Sequence, residues 1–161
     1  MLDDLVRGLT SQEGEAWDNA FVTDITNHLF ESGKNSGGLD LVALNIQRGR
    51  DHGLAGSVSY ALRKVKQAPK PFFKSGYNAY RRICGSGNGE ANDWSDLEDL
   101  IPRDSVHRLR RFYKNVNDVD LFVGGFLERN VDDSILGPTF KCIVGDQFAR
   151  LIQHFIYRSF H

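Results

Sequence analysis

The sequence predicts a mainly α protein, and three observations carry that reading. Apolar residues recur at spacings of three and four along most of the chain, the period of one helix face. Helix punctuation stands beside those runs, with Pro102 and Pro138 near helix starts and Gly33 at a stop. Period-two alternation, the mark of a half-buried strand, is weak throughout, and there is no internal repeat.

Taken in order, Thr10-Ser-Gln-Glu13 has the form of a capping box. Behind it Trp17, Phe21, Ile25 and Leu29 recur every four residues, which predicts an amphipathic helix ending near Gly33. His28, beside that stripe, reads as a structural histidine rather than a metal ligand. Gly33 to Gly38 is a loop by composition. Gly38 to Leu54 is the next helix, with Asp40 expected in its acidic first turn. Residues 55–75 break the pattern with Arg63, Lys64, Lys66, Lys70 and Lys74, two prolines and Phe72-Phe73. Basic residues among aromatics could mark a nucleic-acid surface, but a short cluster in a neutral chain fits an irregular insertion better. Helical spacing resumes from Tyr77 to Cys84, and a Gly/Asn-rich loop follows to Asn92. Ser95 is placed to cap a short helix over Asp96 to Leu100. Pro102 precedes a helix with Val106, Leu109 and Phe112 on its apolar face. Its solvated face carries Arg108, Arg110, Arg111 and Lys114. Asn117 onward turns the chain toward an expected break at Gly124-Gly125. Gly137-Pro138 opens the strongest helix, whose stripe holds Phe140, Ile143, Val144, Phe148, Leu151, Ile152 and Phe155.

Composition bounds function only loosely. The chain has 161 residues, enough for one domain with a core, and is 40% hydrophobic with a formal net charge of −1. That balance argues against nucleic acid or an anionic membrane as the main partner. No apolar run reaches the roughly 18 residues of a membrane-spanning helix. The N-terminus, Met-Leu-Asp-Asp-Leu-Val-Arg, is acidic where a signal peptide starts basic. Two cysteines, Cys84 and Cys142, do not by themselves decide the redox compartment.

The chemistry concentrates between Gly38 and Leu54. On a helix, Leu41, Leu44, Asn45, Arg48 and His52 form one stripe. An amide and a guanidinium among leucines are costly to bury without partners, so the stripe calls for a polar or anionic group opposite it. A ligand and an internal helix–helix network both satisfy that demand.

Leu44-Asn-Ile-Gln-Arg-Gly-Arg-Asp-His-Gly-Leu54 resembles the signature helix of the animal haem peroxidases, the peroxidase–cyclooxygenase superfamily. Four further segments are similar to the same family and keep its order. They are Asp24 to Phe30, Gly76 to Gly85, Asp118 to Gly125 and Gly137 to Phe148. The wording is nearest to secreted arthropod types: chorion peroxidase, peroxinectin and peroxidasin. The fold implied is the C-terminal part of an all-helical peroxidase domain. The activity implied is reduction of hydrogen peroxide and oxidation of small donor substrates on haem. An adhesion or matrix protein that keeps the fold, or an inactive chain, is the competing class.

The resemblance assigns roles to particular residues. At the position of Asn45, the family's asparagine hydrogen-bonds the proximal histidine on the side away from iron. At Arg48 its arginine lies near a haem propionate. Arg50 and Asp51 are expected to form structural ion pairs, and His52 to be structural. Cys84 and Cys142 fall where family members form a disulfide, two free thiols being the alternative. A bridge would imply an oxidising compartment, in keeping with the secretion of such relatives.

Two departures stand beside these matches. The family's axial histidine, calcium site and catalytic residues have no matching positions in this sequence, and the resemblance places them upstream of Met1. Residues 1–161 are therefore expected to be one part of a peroxidase domain, needing the remainder of that domain as partner. Met1 is expected to be the start of a partial product or incomplete gene model. The family also runs almost directly from Asp-His-Gly-Leu into Gly-Tyr-Asn, whereas residues 55–75 intervene here. They are expected to be a lineage-specific loop or an unspliced segment, and residues 151–161 a divergent end.

Overall fold

A computed structural model describes residues 2–14, 18–33, 36–52 and 76–159, with side chains described as far as Phe155. The architecture is mainly α. Among the described residues the helices are α1 (Leu2–Ser11), α2 (Thr23–Thr26), α3 (Leu41–Asp51), α4 (Tyr77–Cys84), α5 (Arg103–Phe112), α6 (Leu121–Leu127) and α7 (Pro138–Ser159). Two 3-10 turns, Ser95–Asp99 and Val116–Asp118, flank α5. An isolated antiparallel bridge, Leu29 to Leu39, joins the segments either side of the predicted loop.

The core is gathered around α4, which packs on α6, α7 and the second 3-10 turn. Tyr77, Leu97, Ile101, Val106, Leu109, Val116 and Val119 bury their side chains together. At about 1.5–3 kcal/mol for each large apolar side chain, this cluster is the main driving force of the described fold. Tyr80 and Leu121 form a second cluster with Phe140 and Ile143. Buried polar groups then fix the register. The Glu128 carboxylate accepts hydrogen bonds from the Tyr77 hydroxyl (2.7 Å), the Thr139 amide (2.9 Å) and the Thr139 hydroxyl (2.6 Å). Burial, then the neighbouring Glu128 charge, pushes the Tyr77 hydroxyl far above its ordinary range, so it remains a donor. Asn78 likewise clamps the loop after α4, donating to the Ala91 carbonyl (2.8 Å) while accepting from the Ala91 amide (2.8 Å).

The disulfide expected from the resemblance is present. Cys84 at the end of α4 is bonded to Cys142 on α7, with Cα atoms 5.9 Å apart and a sequence separation of 58. It crosslinks two helices that already share the Tyr80–Phe140 cluster.

Several expected elements differ. Among the described residues no long helix runs from Thr10 to Gly33. Thr10 and Ser11 close α1 instead of capping a new helix, their hydroxyls donating to the Val6 and Arg7 carbonyls. Phe21 turns onto Phe126 of α6, with ring centroids 5.6 Å apart, and α2 is a single turn. Met1, before which the family's axial histidine is expected, lies outside the described residues, as do Trp17 and residues 55–75. Gly124-Gly125 is not a break, because α6 runs through both. A Cβ at Gly124 would collide with the Tyr77 ring, and one at Gly125 with the Phe140 ring. The glycines let those rings approach the backbone. Ser95 does not cap the short helix either. It lies inside a 3-10 turn, where its amide and hydroxyl both donate to Asp93. Phe112 is 82% exposed rather than core, and Ser105 takes the buried place beside Val106 and Leu109.

Candidate functional site

Local chemistry shapes α3 at both ends. Asp40 is its N-cap rather than part of its first turn, and Oδ1 accepts from the Val42 amide (2.8 Å) and the Ala43 amide (3.1 Å). Such a cap contributes about 1 kcal/mol. At the far end the His52 amide donates to the Arg48 carbonyl (3.0 Å), and Arg48 and Arg50 suit the negative end of the helix dipole. The approach to α3 is equally constrained. The Leu39 amide donates to the Leu29 carbonyl (2.8 Å), and a Cβ at Gly38 would strike the backbone of Asn27 and His28.

The helix is anchored on one side. Arg50 forms a two-pronged ion pair with Asp120 at the start of α6, at 3.0 Å from Nε and 2.7 Å from Nη2. The Tyr113 hydroxyl donates to the same carboxylate at 2.7 Å. Burial pushes the Asp120 carboxyl up, but the bonds from Arg50 and Tyr113 outweigh it and hold it below the usual carboxylate range. Burial and Asp120 together push the Tyr113 phenol up to about 12. The expectation for Arg50 is therefore met, whereas Asp51 Oδ1 accepts from the side-chain Nε2 of Gln47 (2.8 Å) within α3.

At 100° per residue, Arg50 lies about 180° round the helix from the centre of the Leu41–Asn45–Arg48 stripe. That stripe stays open. Asn45 is half-buried, Arg48 is exposed, Leu44 is 39% exposed, and no α3 residue is fully buried. Among the described residues the Asn45 and Arg48 side chains have no hydrogen-bond or ion-pair partner. His52, at the end of the stripe, turns its Nδ1 to the Arg48 carbonyl at 3.1 Å. His28 is paired with Glu31 at 2.6 Å, as a structural histidine would be. Among the described residues no group of three or more His, Cys, Asp or Glu is placed to hold a metal ion. An open cleft of about 500 Å³ lies beside the anchor, walled by Arg50, Arg108, Leu109, Phe112 and Tyr113. It includes neither Asn45 nor Arg48. Sequence reasoning missed this cleft, and also missed Glu128 and Arg81 as buried charges.

A helical body crosslinked by one disulfide, with an anchored helix whose polar stripe faces outward, has the architecture of the all-helical peroxidases. The sequence profile of the animal haem peroxidases matches residues 1–159, and the chain belongs to that family. It is 36% identical over 140 residues to peroxidase-like protein 3 of Lottia gigantea, covering 87% of this chain and 37% of that one. Against the chorion peroxidase of Drosophila melanogaster it is 34% identical over 151 residues, 94% of this chain and 15% of the relative. The solved structure of peroxidase A from Dictyostelium discoideum superposes with a TM-score of 0.67 at 33% identity. That match covers 92% of this chain and 24% of the other. The chain thus spans well under half the length of these relatives.

Proposed function

We propose that this chain builds part of the proximal wall of a haem peroxidase, with Asn45 and Arg48 as its contribution to the cofactor site. One observation carries the reading. Helix α3 is capped by Asp40 and tied down by Arg50, yet holds Asn45 and Arg48 on its opposite side without polar partners among the described residues. A capped and anchored helix presents these groups in fixed positions, which suits recognition of a rigid ligand. The donor set fits haem. A guanidinium fork matches a propionate carboxylate, and the carboxamide oxygen of Asn45 can accept from the N–H of an iron-bound imidazole. The half-exposed Leu44 offers the apolar surface a porphyrin edge requires.

Bound haem supplies the redox chemistry by which hydrogen peroxide is reduced and a donor oxidised. In this reading Asn45 holds the imidazole in one orientation and tautomer, and Arg48 neutralises a propionate. The imidazole comes from another part of a longer peroxidase domain, which is consistent with the small share of each relative that the chain spans. Secretion is supported by the disulfide, which persists in oxidising compartments.

Spectroscopy tests both halves of the proposal. The 161-residue chain mixed with haem is expected to show weak, substoichiometric binding and no peroxide-dependent oxidation of a phenol. A stoichiometric Soret band with turnover would refute the need for a larger domain. In the longer polypeptide, Asn45→Ala is expected to shift the Soret band and lower the iron–imidazole stretching frequency. Arg48→Ala is expected to weaken haem retention. An unchanged spectrum and unchanged retention in these variants would remove both assignments.

A further inference from the structure

The twelve residues from 103 to 114 hold five of the chain's 20 lysines and arginines and only one acid, Asp104. This density stands out in a molecule of net charge −1. Helix α5 gathers most of these charges on one side, with Asp104 about 20° beyond Arg111 at its edge and Arg108 further round. Arg103, His107, Arg110 and Arg111 stand at i, i+4, i+7 and i+8, within an arc of about 100°. Lys114 extends the row just beyond the helix end. All five are exposed, whereas Ser105, Val106 and Leu109 bury the opposite side in the core. Local acids neutralise only part of the row. Glu98 lies 3.8 Å from Arg103, and Asp93, held below the usual carboxylate range chiefly by hydrogen bonds from Ser95, also feels the charge of Arg110. His107, Arg111 and Lys114 have no ion-pair partner among the described residues.

We propose that this face of α5 binds a linear sulfated polysaccharide. A rigid row about 12 Å long from Arg103 to Arg111 suits a linear polyanion better than a single small anion. The row is rich in arginine, whose planar fork pairs with sulfate oxygens two at a time. Nucleic acid has a similar charge, but the Cys84–Cys142 disulfide belongs to an oxidising compartment, where sulfated glycans are the abundant polyanions. The surface is separate from the α3 stripe, so its test does not depend on haem.

The test is salt-gradient elution of the whole chain from immobilised heparin, with circular dichroism to confirm folding. The wild type is expected to be retained. The triple variant Arg110→Glu, Arg111→Glu, Lys114→Glu is expected to lose about tenfold or more in affinity, with a shallower salt dependence. The rival basic cluster is controlled by Arg63→Ser, Lys64→Ser, Lys66→Ser, which should leave retention within about twofold. Non-sulfated hyaluronate and duplex DNA of matched length should compete more weakly than heparin. The proposal is overturned if the wild type is not retained or the α5 variant elutes with it. Loss of binding in the 63–66 variant, or DNA competing as well as heparin, also overturns it.

Discussion

Arg81 offers the sharpest test of how the described fold is held together. Its guanidinium is fully buried and makes four hydrogen bonds across the loop that follows α4. Nη1 and Nη2 grip the two Asp99 carboxylate oxygens at 2.7 and 2.5 Å, Nε donates to the Gly89 carbonyl at 2.5 Å, and Nη2 reaches the Asp96 carbonyl at 3.1 Å. Replacing it by methionine keeps much of the volume but strands two carbonyls and most of a carboxylate. Asp99 would retain the Asn88 amide at 2.9 Å. Removing one partner of a fully buried ion pair costs about 3–5 kcal/mol, and because Asp99 is an exposed residue that water can reach, the low end of that range, about 3 kcal/mol, is expected. That is a large share of the roughly 5–15 kcal/mol by which domains are stable. Arg81→Lys keeps the charge but cannot bridge both oxygens and both carbonyls, so about 1–3 kcal/mol is expected. Urea unfolding followed by circular dichroism measures both variants, and Arg81→Met should lower the midpoint by more than about 1 M. Adding Asp99→Leu to Arg81→Met should recover part of the loss. If Arg81→Met falls within about 1 kcal/mol of the wild type, or the double variant is simply additive, the buried pair is not what organises this loop.

Two further outcomes follow from the same structure. Replacing Cys84 and Cys142 by serine opens a loop of 58 residues and should cost about 4 kcal/mol on the chain-entropy account, read as a lower unfolding midpoint equal to that of the reduced wild type. Asp120, whose folded carboxyl titrates below its unfolded value of about 3.9, contributes stability that is present above that pH and lost as pH falls through the folded value. Asp120→Asn should therefore reduce stability at neutral pH and flatten its decline in acid, and an unchanged acid profile would contradict the Arg50–Asp120 anchor.

Legibility in the sequence followed the range of the interactions involved. Helices α4, α5 and α7 were readable from their apolar periodicity and punctuation, although packing covers only part of the predicted faces: Phe112 of α5 and Val144, Phe148, Leu151, Ile152 and Phe155 of α7 are exposed. Between Thr10 and Gly33 local signals and tertiary contacts disagree. The Thr10–Glu13 pattern has the letters of a capping box, yet the hydroxyls bond back into α1, and Phe21 and Leu29 find partners on Phe126 and Leu39. A four-residue spacing records only that apolar residues could share a face, and contacts distant in sequence decided whether they do. Gly124-Gly125 failed for a related reason. Low helix propensity, about 1 kcal/mol for each glycine, is outweighed by the rings of Tyr77 and Phe140 packing where side chains would stand.

The range of the contacts also separates the residues of the candidate site. Arg81 could have been found, since it follows Tyr77 by four residues on the face that α4 buries. Glu128 could not, because its partners Tyr77 and Thr139 lie 51 and 11 residues away and nothing local marks it as buried. Asn45 and Arg48 stand out in the sequence for the opposite reason. Their stripe is a local pattern on one helix, and the anomaly of polar groups among leucines survives in the structure as a face without polar partners among the described residues. Arg50 shows that α3 can satisfy a guanidinium internally when the fold requires it. Arg48, two residues earlier and exposed on the opposite side, has no partner among the described residues, and that leaves its guanidinium available to the carboxylate proposed for it.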